Sequence, residues 1–182
     1  MDLSVNRLFL EYCRESKGLV CLGLASGQSP YFDTDDLENG ELQYREEYVA
    51  QCLETACRVW EQCGFSDDLT VVYEDKFSCH HKQEKELIES TLKPLDFQNL
   101  FFEWKDDGEI FHGIRYVWKT NYLDVRTLFL KIILSEIGED TQLDCAVYII
   151  DRQTENIFFL YDDRGIQIYS DQEAFLKGFQ QA

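Results

Sequence analysis

The chain has 182 residues, 45% of them apolar and 14% aromatic, a composition that argues against disorder and fits one domain over 1–182. Lys and Arg number 17 against 35 Asp and Glu, and the net charge of −18 argues against nucleic-acid and membrane partners, whose phosphates are themselves negative. Seven cysteines (Cys13, Cys21, Cys52, Cys57, Cys63, Cys79 and Cys145) form no C-x-x-C pair and follow no leader-like stretch, so they read as free thiols in a reducing cytoplasm.

Val5, Leu8, Phe9, Tyr12 and Cys13 recur at helical spacing and predict a first helix over about Leu3–Lys17. Leu19–Ala25 reads as a buried strand, followed by an acidic, turn-rich loop through Asp33, Asp35, Asp36 and Glu38. The longest predicted helix spans about Glu41–Cys63, with Val49, Cys52, Leu53, Ala56, Trp60 and Cys63 on one face and Gly64 as its stop. Leu69–Tyr73 is a β-branched strand, and Lys82–Leu92 a charged helix burying Leu87, Ile88 and Leu92.

Phe97–Trp104 and Ile110–Trp118 flank Asp106-Asp107-Gly108, and Asp-Gly is a strong signal for a tight hairpin. Asn121 is expected to cap a helix whose stripe is Val125, Leu128, Phe129, Ile132, Ile133 and Ile137. Leu143–Ile150 is nearly all apolar and reads as a central strand. Asn156–Tyr161 and Ile166–Tyr169 form a last hairpin, and Ser170-x-x-Glu173 reads as a capping box opening a final helix. The order α-β-α-β-α-β-β-α-β-β-β-α predicts an α+β fold: a largely antiparallel or mixed sheet with helices packed on it. An N-terminal helix-strand-helix part, about 1–65, precedes a hairpin-rich part, about 95–182.

Tyr161-Asp162-Asp163-Arg164-Gly165 joins turn formers, two carboxylates and a scarce cation between two apolar runs. Gly165 is expected to take a left-handed angle and Asp162 to bond the backbone two residues on, which leaves Asp163 and Arg164 without a geometric duty. They are either solvated or aimed into a pocket or interface. Arg115 and Arg126 are candidates for one ion network with Asp162, Asp163 and Arg164; the plainer alternative is three separate surface arginines. Arg126 sits in the first turn of its helix, where a cation is mildly unfavourable, so a carboxylate partner is expected.

Cys79-His80-His81 lacks converging companions, because Cys57 and Cys52 point about 140° apart on their helix, and no metal is expected. Gly23–Ser29 follows a strand but has no Gly-Lys-Ser/Thr ending, so no nucleotide or other cofactor is expected. Seven thiols with His80, His81 and His112 leave a Cys–His couple open, since only spatial adjacency would make one.

Ile114-Arg115-Tyr116-Val117-Trp118-Lys119-Thr120, Arg126, the strand Ala146–Ile150 and Ile157–Gly165 together resemble a bacterial family, domain of unknown function 3885. The Tyr-Asp-Asp-Arg-Gly hairpin is the most recognisable part of the likeness, which spans about Tyr44–Tyr169. The Leu19–Pro30 segment is not a clear match, and Ile166 stands where a Cys is expected in many relatives. The resemblance implies a small cytoplasmic bacterial protein, transfers no catalytic residue, and groups Asp162, Asp163, Arg164 and Gly165 as a unit with Arg115 and Arg126 beside it. Two functions are expected to compete. The first is a non-enzymatic, immunity- or inhibitor-like module that meets a basic protein through the acidic loop of 33–47. The second is a small-molecule enzyme or binder built from the arginines and the hairpin, walled by Tyr116, Trp118 and Tyr161.

Overall fold

The computed structural model describes residues 17–25, 27, 29–32, 43–76, 81–106, 108–137, 143 and 146–179, without the side chains of 81, 82, 105 and 106. The predicted first helix lies outside the described residues apart from Lys17. Among the described residues seven strands form one sheet: β1 (Gly18–Gly23), β2 (Leu69–Asp75), β3 (Leu92–Asp106), β4 (Glu109–Leu123), β5 (Ala146–Asp151), β6 (Ile157–Leu160) and β7 (Gly165–Ser170). Their spatial order is β1-β7-β6-β5-β2-β4-β3, with every neighbouring pair antiparallel. The helices are α1 (Glu46–Cys63), α2 (His81–Glu89), α3 (Val125–Ile137) and α4 (Glu173–Lys177). The chain is therefore α+β, and β5 is the middle strand that its apolar sequence predicts.

Period-two alternation sorts each strand into two faces. Val20, Val71, Tyr73, Tyr116, Trp118, Val147, Ile149, Phe158, Leu160, Ile166 and Ile168 face the helices in one core, into which each of the described helices sends side chains. Val72, Val117, Tyr148, Ile150, Ile157, Phe159 and Tyr169 form a second buried cluster on the other face. α1 and α3 lie side by side on the first face. Tyr48, Val49, Cys52, Leu53, Ala56, Val59 and Cys63 of α1 meet Leu128, Phe129, Ile132 and Ile133 of α3 in that core. Burying a large apolar side chain contributes about 1.5–3 kcal/mol, so this two-helix layer outweighs any single polar contact described below.

Local chemistry sets the boundaries. Gly64 takes φ 60° and ψ 38° and its N–H donates to Glu61, the predicted left-handed stop of α1. α1 starts at Glu46 rather than Glu41, because 43–45 are extended and paired with 30–32: Tyr31 bridges Tyr44, Phe32 N–H donates to Gln43, and Arg45 N–H donates to Pro30. α2 ends where the Ser90 and Thr91 hydroxyls donate to the carbonyls of Leu87 and Ile88, so Leu92 opens β3 instead of closing the helix. Gly108, at φ 87°, makes the tight turn between β3 and β4, whose arms run longer than the apolar pattern alone predicts.

Two predicted caps are corrected. Asn121 is still in β4, and the cap of α3 is Asp124, whose Oδ1 accepts the Thr127 N–H at 3.1 Å and whose Oδ2 accepts the Thr127 hydroxyl at 2.8 Å. Ser170 closes β7, and its hydroxyl accepts the Gln172 N–H without capping α4.

Candidate functional site

The hairpin between β6 and β7 is held by its own side chains. Asp162, only 2% exposed, accepts the Arg164 N–H at 2.7 Å and the Arg164 Nε at 2.6 Å, so the predicted backbone closure carries an ion pair as well. The Arg164 side chain is 74% exposed and folds back onto Asp162 rather than inward, while its carbonyl accepts the Leu24 N–H at 3.0 Å from the end of β1. Gly165 does not take the predicted left-handed angle; among the described glycines only Gly27, Gly64 and Gly108 have positive φ. Glycine is needed there for space. A Cβ on Gly165 would lie 2.4 Å from the Tyr161 hydroxyl and 2.7 Å from the Leu22 carbonyl.

Asp163 turns inward. It is 8% exposed, its Oδ2 accepts the Tyr48 hydroxyl at 2.7 Å, and its backbone carbonyl accepts the Cys52 thiol at 3.3 Å. Tyr48 and Cys52 are one turn apart on α1, so two rungs of one helix clamp one residue of the hairpin. Burial first, then the bond to Asp163, pushes the Tyr48 phenol well above its ordinary value, so it stays a donor. Burial pushes the Cys52 thiol up to about 11, which keeps it protonated and non-nucleophilic at neutral pH.

Beside Asp163 opens a cavity of about 400 Å³, walled by Pro30, Tyr31, Tyr48, Glu136, Asp163 and Arg164. Tyr31 is fixed there by its hydroxyl, which donates to the Ile137 carbonyl at 3.2 Å. Asp163 Oδ1 accepts no hydrogen bond among the described residues. A wider and more open depression lies at Phe65, Ser66, Asp67, Asp68, Asn121 and Gln153. Asp68 at its rim is already held by Arg152 at 2.5 Å.

The predicted arginine network does not form. Arg115 lies across the strand pair from Glu74 in register and bonds it through Nε at 2.8 Å and Nη2 at 2.6 Å, with both side chains buried. Its guanidinium stacks 4.2 Å over Phe102, and Nη1 is buried without a partner among the described residues. Phe102 reaches that position because its cross-strand neighbour is Gly113, where a Cβ would stand 2.6 Å from the ring. Arg126 pairs instead with Glu54 of α1 at 2.7 Å, the carboxylate partner its helical position calls for. Neither arginine lines the cavity beside Asp163. Tyr116 and Trp118 are core residues, and Tyr161 leans over Gly165. His112 is exposed and 3.8 Å from Glu103. Among the described residues no group of three or more His, Cys, Asp or Glu is placed to hold a metal; Cys79 and the side chains of His80 and His81 lie outside them.

Sequence reasoning misses Tyr48, Tyr31, Glu136 and Glu74. Glu74 did carry a signal: a carboxylate directly after Val71-Val72-Tyr73 in a wholly buried strand requires a cation opposite it. Tyr48 and Glu136 carried none, because nothing local links a helix position to a distant turn, 115 residues away in the case of Tyr48.

The model of the family described as Domain of unknown function (DUF3885) matches residues 32–181. The chain belongs to that family. The match starts after β1, in keeping with the weak likeness of the Leu19–Pro30 segment, and takes in the hairpin, α1, α3 and all of the cavity wall except Ala25, Pro30 and Tyr31. No curated protein and no solved structure matches this DUF3885 member.

Proposed function

We propose that this DUF3885 protein is a non-enzymatic acidic binding module of the bacterial cytoplasm, immunity- or inhibitor-like in kind, whose partner is a basic protein. The observation that carries the reading is where the acidic segment joins the fold. Asp33, Asp35, Asp36, Glu38 and Glu41 fall within residues 33–42, which contain no Lys or Arg. The two ends of that segment are stitched together by the pairing of 30–32 with 43–45, and Pro30 and Tyr31 of the same stitch wall the cavity that carries Asp163 and Glu136. The acidic segment thus leaves and rejoins the fold beside an opening that carries two carboxylates, and a field of one sign steers a partner of the other. Several cations are already paired, Arg126 with Glu54, Arg152 with Asp68, Lys17 with Asp171 and, at the cavity wall itself, Arg164 with Asp162.

The test is capture of partners from an extract of the source cells on immobilised protein. It is compared with a variant in which Asp33, Asp35, Asp36, Glu38 and Glu41 become Asn or Gln. The proposal expects a basic protein held by the wild type, not by the neutralised variant, and released near 1 M salt, where the screening length falls to about 3 Å. Capture of nothing, or equal capture by both, overturns it. A second reading, a small-molecule enzyme or binder at the hairpin, draws support from the cavity, whose volume lies in the roughly 300–1,000 Å³ range of ligand sites.

A further inference from the structure

We infer that the cavity beside the hairpin is a guanidinium socket, with Asp163 as its inner carboxylate, Glu136 as its outer one, and Tyr31 and Tyr48 as its aromatic walls. Asp163 is more than nine-tenths buried, and only one of its oxygens is used by the protein: Tyr48 donates to Oδ2, while Oδ1 accepts no hydrogen bond among the described residues. Oδ1 is not a buried unsatisfied atom and faces the cavity, where a ligand bringing a charged donor can make a charge-assisted hydrogen bond to it. The cavity wall already contains one cation, Arg164; Asp162 holds its Nε and one terminal nitrogen, and its charge is felt by Glu136 and Asp163, but it makes no hydrogen bond to Asp163.

The shape of the site favours guanidinium over a metal ion or an ammonium. A metal would need three or more converging ligands, and no such group occurs among the described residues. An ammonium is a strongly hydrated point charge, whereas guanidinium is planar, more weakly hydrated, stacks on aromatic faces and presents several donors in a fixed fork. Two tyrosines and two carboxylates in one cavity match those properties. The walls are also pinned: Tyr31 is tied to Ile137, Tyr48 to Asp163, and Asp163 to Cys52. Little side-chain ordering is then left to occur on binding.

The guanidinium could come from an arginine side chain of a basic partner or from a free small molecule. The first source rests on the proposed function; the socket itself does not. The probe is N-acetylarginine methylamide, titrated by calorimetry, with the neutral citrulline analogue and the lysine analogue as controls. The expected result is binding of the arginine compound in preference to both controls. Asp163→Asn and Glu136→Gln should each weaken it about tenfold. Asn keeps the shape and the Tyr48 bond of Asp163, and Glu136→Gln changes an exposed position, so loss of folding, checked by circular dichroism, cannot explain both results. Absence of probe binding to the wild type, or equal binding by both variants, overturns the socket even where a basic partner is captured. If Asp163→Asn also weakens the captured partner, the guanidinium is the partner's arginine. If it weakens only the probe, the socket takes a free small molecule. If no partner is captured while the probe binds, the proposed function fails and the socket stands.

Discussion

Replacing Gly165 by Ala tests whether the hairpin is built by close approach or by turn geometry. The backbone at Gly165 is not left-handed, so Ala meets no dihedral obstacle, and on that ground alone it would gain about 0.4–1 kcal/mol from a less flexible unfolded chain. The added methyl, however, would sit 2.4 Å from the Tyr161 hydroxyl and 2.7 Å from the Leu22 carbonyl. Tyr161 is partly exposed and can swing away. Leu22 is backbone of β1, and to restore ordinary contact at 3.4 Å its carbonyl must retreat about 0.7 Å from the strand it pairs with. Overpacking of this kind costs about 1–3 kcal/mol, so the net loss is about 1–2 kcal/mol, a drop of roughly 2–8 °C in Tm for a chain of this size. Urea unfolding of Gly165→Ala, Tyr161→Ala and the double variant measures it. The clash with Leu22 should leave the double variant less stable than Tyr161→Ala alone. A Gly165→Ala protein as stable as the wild type, or a double variant matching Tyr161→Ala, refutes the reasoning.

Two further outcomes follow from buried charge and buried thiols. Arg115→Ala should cost about 3–5 kcal/mol, because it leaves Glu74 buried without its cation, while the apolar pair Arg115→Met/Glu74→Leu should be far closer to wild type; equal losses in chemical denaturation would show that the pair is not the reason. Thiol titration of the native protein should modify exposed Cys21 readily and Cys52 and Cys63 only on unfolding. Burial raises the folded-state values of Cys52 to about 11 and of Cys63 to about 12, above the ordinary 9.0, so their contribution is intact below pH 9 and declines as pH climbs from there toward those values. Cys63→Ala should flatten that alkaline decline, and an unchanged pH profile would contradict the burial argument.

The architecture was legible because the strands and long helices are patterned locally. The all-apolar run of β5 marks a strand with neighbours on both sides, and Gly64 and Gly108 stop and turn the chain through their own backbone angles. Asp162 was legible for the same reason, since its bond spans two residues. Gly165 looked like another turn glycine, but its reason is steric and lies in Leu22, on a strand 143 residues earlier. The caps failed where a longer strand won: β4 runs through Asn121 to Leu123, and the next acceptor, Asp124, takes over. The arginine network failed because sequence proximity to a motif says nothing about which carboxylate lies across a strand pair or along a neighbouring helix. Glu74 and Glu54 are those carboxylates. The inward turn of Asp163 depended on α1 passing over the hairpin, and only the fold places Tyr48 there.

The measurement that bears most directly on the proposed function is the affinity of the captured basic partner at about 50 mM and about 500 mM salt, taken for the wild type and for the neutralised 33–42 variant. The account predicts that wild-type binding weakens at least about tenfold over that range, and that the variant binds weakly and nearly independently of salt. A wild-type affinity that does not change with salt, or a variant that binds as tightly as the wild type, would contradict it.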